Sequence, residues 1–383
     1  MEISWSSDNK RKPRPGERIF RSMPPLGEIR PGEGGSPAFR REPFPSPFDR
    51  LLCDGRWRGP HGIGRFATEV LRRLPGARII ENGERIFLSP LDPFWIASRI
   101  AREKPFAYFT PGFNPPLPSM VPLVLTIHDL IHLKVPGEGG RFKSLYYEHI
   151  VKPALRSSFR VLTVSRFSKN EILEWAKIPE ERVIVVGNGV SPDFSPTGTI
   201  YQLGFPYFLY VGNRKPHKNL PLLFDALSRA RLPKEFRLLL SGSPDPETER
   251  EIRRWGIGER VSYAGTVAEK DLPSVYRGAS ALLFPSRLEG FGFPVLEAMA
   301  CGLTVLASGI PAVEEVAEGT VRTFSPDDPD AWASAMEQVA HGDLSGEAVR
   351  KSKALERARL FSWEAVGGRV RMVLLEAMEA SSS

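Results

Sequence analysis

Two cysteines in 383 residues, Cys53 and Cys301, cannot make a zinc site by themselves. They lie far apart in apolar surroundings, so buried thiols are expected rather than a disulfide. Long hydrophobic runs are also missing. A membrane-spanning helix needs about 20 apolar residues, and the most apolar stretch, "VPLVLTI" from Val121, is far shorter. The N-terminal "MEISWSSDNKRKPRP" lacks the apolar centre of a secretory leader, which makes a cytoplasmic location the expectation. The formal charge of +7 is thinly spread. It would attract nucleic acid, anionic membrane or a phosphorylated ligand equally, and chooses none of them.

What is present is organised in two halves. Residues 1–47 alternate proline with glycine and arginine and read as a disordered tail without apolar periodicity. From Phe48 apolar strands alternate with helices: "FDRLLCDG", "GRFATEVLRRL", "VPLVLTIHDL", "RFKSLYYEHIVKPALRSS", "FRVLTVS", "RFSKNEILEWA" and "RVIVVGNGV". Proline and glycine in "SPDFSPTGTIYQLGFP" then mark a linker, and the rhythm restarts at "YFLYVGN". Such alternation implies an α/β chain with a doubly wound parallel sheet in each half. Ligands are expected in the cleft between them, at strand C-termini and helix N-termini. The expected divisions are 48–192, 193–361 and a helix, 362–380, crossing back to the first half.

Four stretches carry chemistry. In "SRLEGFGFPVLEAMACGLTVLAS", Glu289 and Glu297 have seven residues between them, filled by a glycine- and phenylalanine-rich turn. Pro294 suits a helix start, so backbone amides at Gly292, Val295 and Leu296 can meet an anion there. Glu297, among apolar neighbours, can either accept from a sugar diol or pair with an arginine. In "YVGNRKPHKNL", Arg214, Lys215, His217 and Lys218 crowd a turn between strand and helix; a diphosphate site and a solvated basic turn both fit. "GPHGIGRFATEV" holds a G-x-G-x-x-A pattern at Gly62, Gly64 and Ala67, a weak dinucleotide signal. The long preceding segment reads instead as a flexible loop approaching phosphate or sugar. His128 and Asp129 of "TIHDL" end a buried strand at the cleft edge, in a structural or ligand-facing role. Asp328-Pro329-Asp330 imitates a D-x-D metal motif, but it directly precedes a helix, where aspartate caps.

In combination, "YVGNRKPHKN", "YAGTVAEKDLPSVYRGASALLFPS" and "EGFGFPVLEAMACGLTVLAS" resemble the retaining glycosyltransferases of family 4. "GIGRFATEVLRRL", "TIHDL" and "TVSRFSKNEI" match more loosely in the first half. The resemblance implies the GT-B fold, two Rossmann-like lobes facing across a cleft. It also implies metal-independent sugar transfer from a nucleotide-diphosphate donor, with no cofactor and no nucleic-acid partner. Carried onto this chain, Glu297 would hold ribose, while Glu289, Phe291, Gly292 and His128 would meet the donor hexose. Lys218, Gly64, Val295 and Leu296 would lie at the diphosphate, and Gly265, Thr266 and Val267 at the nucleobase. The positions where relatives place a diphosphate arginine are Asn213 and His217 here, so Arg214 is the expected substitute. Catalysis would fall to His128, Glu289, Lys218 and Arg214, without a protein nucleophile. The turn "VGNRKPHKNL" looks most like bacterial mannosyltransferases of surface-polysaccharide synthesis. GDP-mannose is therefore the expected donor and a UDP-hexose such as UDP-glucose the second. A glycan or lipid-linked acceptor is expected, and "RFKSLYYEHIVKPALR" fits either peripheral contact at the inner face of an anionic membrane or an ordinary amphipathic core helix. A glycoside hydrolase using both glutamates and an inactive nucleotide-sugar sensor are the readings from other classes.

Overall fold

The computed structural model describes residues 46–81 and 87–382. The expected tail lies outside the described residues, except for Ser46 and Pro47. Among the described residues there are two six-stranded sheets, and every strand pair in them is parallel.

The first sheet contains β1 (Leu51–Asp54), β2 (Arg78–Ile80), β3 (Ala107–Thr110), β4 (Leu123–Thr126), β5 (Arg160–Thr163) and β6 (Val183–Val185), in the order β2-β1-β3-β4-β5-β6. The second contains β7 (Tyr207–Tyr210), β8 (Arg237–Leu240), β9 (Val261–Tyr263), β10 (Ala281–Phe284), β11 (Val305–Ser308) and β12 (Arg322–Phe324), in the order β12-β11-β10-β7-β8-β9. Central strands such as "LVLT" and "ALLF" are buried along their whole length, whereas the outer β9 and β12 are not. That is why the central strands read as unbroken apolar runs: helices cover both faces of the sheet.

Three elements before Val121 did not stand out from the sequence: β2, the helix Asp92–Glu103 and β3. Prolines obscure them. Pro93 nevertheless sits in the first turn of its helix, where the N–H it lacks would have no helical partner. The long helical stretch after Gly140 contains one π turn, Tyr147–Val151, just before Pro153. Proline removes one N–H from the ladder there, and the local register shift absorbs the loss.

The last helix, Trp363–Ser382, belongs to the second half of the sequence but packs on the first lobe. Val366, Val370 and Leu374 enter the core built by Phe48, Leu51 and Phe66. Its approach runs beside the interlobe linker, where the Val190 amide donates to the Phe361 carbonyl at 3.0 Å. Two chain segments thus join the lobes side by side. Val370 is fully buried. Val370→Asp places an unpaired carboxylate in that core and should cost about 3 kcal/mol or more of stability, read by denaturant unfolding.

Candidate donor site between the lobes

Strand order in the second sheet reverses between β7 and β10, so the loops after these strands lie side by side. Crevices at such a reversal are where open α/β sheets bind ligands. The turn after β7 is pinned onto the loop after β10. Asn219, at φ +54°, donates through Nδ2 to the carbonyls of Pro285 and Pro326 at 3.2 and 2.8 Å. The Arg287 amide donates to the His217 carbonyl at 2.8 Å. This registration brings Lys218 Nζ to 2.7 Å from Glu289 Oε1, although the two residues are 71 apart in sequence. Glu289 is 8% exposed, so the partner matters: a buried carboxylate without a cation is costly.

The basic turn is solvated only in part. Three of its four basic side chains meet carboxylates, Lys218 at Glu289, His217 at Glu138 of the first lobe and Arg214 at Asp245 at 2.7 Å, while Lys215 is exposed. Arg214 also donates to the carbonyls of Ser243 and Ser241 at 2.8 and 3.1 Å, and lies 5.3 Å over the Tyr263 ring. It therefore ties together the ends of β8 and β9, one strand further out than Lys218.

Beyond Glu289 the chain enters the helix Phe293–Ala300 through Gly292, whose φ of +103° favours glycine. Phe291 is buried against Phe293 and Phe361. The amides of Val295 and Leu296 both donate to the Gly292 carbonyl, at 3.1 and 3.3 Å. A phosphate at this helix end would share those two amides with the helix itself. Glu297, one turn in, is only 3% exposed. Its Oε2 accepts from the Tyr276 hydroxyl at 2.6 Å, and Oε1 pairs with Arg65 of the first lobe. Burial lifts its carboxyl above the ordinary range, against the pull of Arg65 and Tyr276. Of the two roles open to Glu297 in the sequence, the arginine pair is the one formed here.

Across the cleft, His128 lies two residues beyond β4 and accepts no proton readily. Burial pushes its pKa down to about 4, so the ring is neutral at physiological pH. Nε2 lies 2.9 Å from the Pro111 carbonyl, which can only accept, so the proton sits on Nε2 and Nδ1 is left to accept from a hydroxyl. The lobes meet closely at this point. Ser165 and Ser168, in the first turn region of the helix Arg166–Ala176, donate to the Gly290 carbonyl at 2.6 and 3.3 Å. Glu315 of the second lobe caps the same helix by accepting from the Arg166 and Phe167 amides at 2.8 and 3.1 Å.

One expectation needs correction. The segment between β1 and the helix Gly62–Leu71 is not a flexible loop. Buried Arg56 bonds Asp54 and Asp92 at 2.7 Å each, and the Trp57 indole donates to Asn114, so the loop is fixed from inside. Gly64 serves that packing: a Cβ there would stand 2.2 Å from the Gly59 carbonyl oxygen, and its amide donates to His61 Nδ1 at 3.0 Å.

Residues 55–194 match the profile for "Glycosyltransferase Family 4", and residues 205–342 that for "Glycosyl transferases group 1". The O-antigen chain mannosyltransferase B of Escherichia coli is 32% identical over 360 residues, covering 79% of this chain and 93% of that protein. The chain belongs to glycosyltransferase family 4. The O-antigen chain mannosyltransferase RfbU of Salmonella typhimurium is 26% identical over 249 residues, covering 64% of this chain and 69% of that protein. Two solved structures share the GT-B architecture. Sucrose-phosphate synthase from Thermosynechococcus elongatus has a TM-score of 0.70 at 19% identity, covering 86% of this chain and 99% of that one. WaaG, a glycosyltransferase involved in lipopolysaccharide biosynthesis, has a TM-score of 0.67 at 14% identity, covering 84% and 98%.

In this glycosyltransferase the remaining expected positions sit on the outer side of the second sheet. Gly265, at φ +65°, follows β9, and its carbonyl accepts from the Gly242 amide at 3.0 Å. Thr266 is exposed and Val267 half-buried. The cysteines are buried and free, and Asp328 caps its helix by accepting from the Ala331 amide at 3.0 Å. Sequence reasoning missed Arg65, Tyr276, Glu138, Ser165 and Glu315. Only Arg65 carried a signal, a cation in the first turn of a helix, where the dipole disfavours it.

Two tests follow from this geometry. A Cβ at Gly290 would lie 2.7 Å from the His128 carbonyl oxygen. Gly290→Ala should therefore hold the lobes apart and lower transferase activity by about tenfold or more, with far-UV circular dichroism unchanged. For His128, a nitrogen-edited imidazole spectrum should show the neutral Nε2–H form at pH 6 and a midpoint near 4. The unfolded chain protonates near about 6.5, so this group's contribution to stability is present above that pH and lost as pH falls towards 4. A midpoint near 6.5 in the native spectrum would contradict the burial argument.

Proposed function

We propose that this glycosyltransferase moves mannose from GDP-mannose, with retention of anomeric configuration, to a glycan or lipid-linked acceptor in surface-polysaccharide synthesis. The donor assignment is carried by the Lys218–Glu289 pair at the strand-order reversal, in the loop that leads into the helix bearing Glu297. The choice of mannose is supported by the O-antigen chain mannosyltransferase that matches over 93% of its own length.

In this reading Glu297 accepts from the ribose hydroxyls and Glu289 from the mannose hydroxyls. The neutral His128 ring accepts from a further sugar hydroxyl through Nδ1. The bond between the anomeric carbon and the β-phosphate oxygen breaks while the acceptor oxygen bonds the same face of that carbon. The acceptor's proton passes to the departing phosphate oxygen, and GDP leaves. Charge builds on the diphosphate as this happens. Lys218, fixed by the turn, and the N-terminus of the helix Phe293–Ala300 stabilise it without rearrangement and without a metal ion. Arg214 joins them in this reading by exchanging Asp245 for phosphate. The nucleobase rests against Gly265, Thr266 and Val267.

For a lipid-linked acceptor the first lobe offers an amphipathic approach. On the helix Gly140–Tyr146, Phe142 is 90% and Leu145 53% exposed, next to exposed Arg141. Exposed aromatics beside cations suit an anionic interface. Among the described residues no helix is long and apolar enough to cross a membrane.

A thermal-shift screen of GDP, UDP, ADP and dTDP with their sugars tests the donor, and GDP-mannose should raise the melting temperature most. If no nucleotide stabilises the protein, the donor site is misassigned; a UDP-sugar in first place removes GDP-mannose. Proton spectra of the product should show the α-anomer, and turnover of a simple glycoside without nucleotide would favour a hydrolase. Lys218→Ala should lower kcat by about 10²–10³, measured as GDP release.

A further inference from the structure

Arg65 stands in the first turn of the helix Gly62–Leu71, in the first lobe, yet its ionic partners belong to the second. Its Nη1 hydrogen-bonds Glu297 Oε1, and its Nε lies 3.1 Å from Glu269 Oε1 without hydrogen-bond alignment. Tyr276 holds the other Glu297 oxygen from within the second lobe and is itself fully buried. Both carboxylate oxygens therefore already carry a strong donor. Each oxygen keeps a second lone pair, but Glu297 is only 3% exposed, and of its two donors Arg65 is the one that lines the cavity beside it, so a ribose diol meets Arg65 first.

The two donors differ in freedom. Tyr276 is locked in the core of its own lobe. Arg65 keeps a fifth of its side chain exposed and lines a cavity of about 390 Å³ together with Glu297, Glu69 and Glu269. Glu69, four residues further along the same helix, is already held by Arg72 at 2.7 Å and Arg73 at 2.6 Å, which leaves Glu269 as the carboxylate open to Arg65.

We propose that Arg65 is a positioning residue that acts on the donor through Glu297. The ribose hydroxyls displace its guanidinium from Oε1, and the guanidinium passes wholly to Glu269. Donor binding thus exchanges an ion pair between the lobes for hydrogen bonds to ribose. Lobe contact and donor occupancy become linked, because one oxygen serves both. This inference rests on the reading of Glu297 as the ribose carboxylate.

The consequence runs against the usual effect of deleting an active-site arginine. Without Arg65, Glu297 stays buried with only a neutral donor beside it, which raises the free energy of the protein before nucleotide arrives. Ribose hydroxyls then recover more. Calorimetric titration of wild type and Arg65→Gln with GDP should show GDP binding about fivefold tighter in the variant, a coupling of ordinary size. Inorganic pyrophosphate, which carries no ribose, should bind both proteins equally. The donor KM should fall in parallel with the GDP Kd, while kcat does not rise.

Weaker or unchanged GDP binding in Arg65→Gln overturns the proposal, and so does weaker pyrophosphate binding, which would make Arg65 a phosphate ligand. A wild-type protein that binds none of the four nucleoside diphosphates overturns the donor reading and this inference with it. Should Arg65→Gln fail to fold, Arg65→Lys keeps the charge and loses the planar fork. It should tighten GDP in the same direction by a smaller factor, and no tightening counts against the proposal.

Discussion

Two carboxylates are buried on one loop and the helix turn that follows it, and the rest of the site is arranged around that fact. Neither Glu289 nor Glu297 can lie so deep without a donor of positive charge, because transfer of an ionised carboxyl from water into a protein interior costs far more than one neutral hydrogen bond returns. Each is compensated differently. Glu289 takes Lys218 from the neighbouring loop of its own sheet. Glu297 takes a tyrosine from its own lobe and an arginine from the opposite one. The first arrangement makes a rigid ion pair at the sheet's topological reversal. The second makes the state of Glu297 depend on how the lobes meet.

Lobe contact is built from backbone as much as from charge. The Gly290 carbonyl is shared by Ser165 and Ser168, while its missing side chain leaves room for His128. Glu315 caps a helix of the other lobe, and Glu138 meets both the ring and the amide of His217. These contacts surround the cleft on the side of Glu289, whereas Arg65 closes it on the side of Glu297. The terminal helix then returns to the first lobe, so that the second lobe is tied to it by two adjacent strands of chain rather than one hinge.

The basic turn illustrates how local charge and tertiary placement divide the work. Four cationic or titratable residues within five positions suggest an anion, and their excess at a helix start is electrostatically unfavourable alone. Folding separates them: Arg214 fastens the outer strands, His217 reaches the first lobe, Lys218 turns to the carboxylate beside the cleft, and Lys215 stays exposed. A reading from spacing could propose the cluster but could not separate these three tasks, since each is set by a partner 31 to 79 residues away.

Periodicity and punctuation in the sequence determined the α/β class, the break between the halves and most strands, because a strand buried on both faces must be apolar throughout and its ends must turn. They also marked Glu289, Glu297, Lys218 and His128, since a charged or polar side chain at the end of an apolar run is visible in one dimension. The elements before Val121 escaped, because prolines that sit harmlessly in a first helical turn look like breakers in a linear reading. Tertiary structure alone decided who compensates whom. Arg65 and Glu297 are separated by 232 positions and belong to different lobes. Their pairing depends on a helix after β1 facing a helix after β10, a relation that no local pattern of residues encodes.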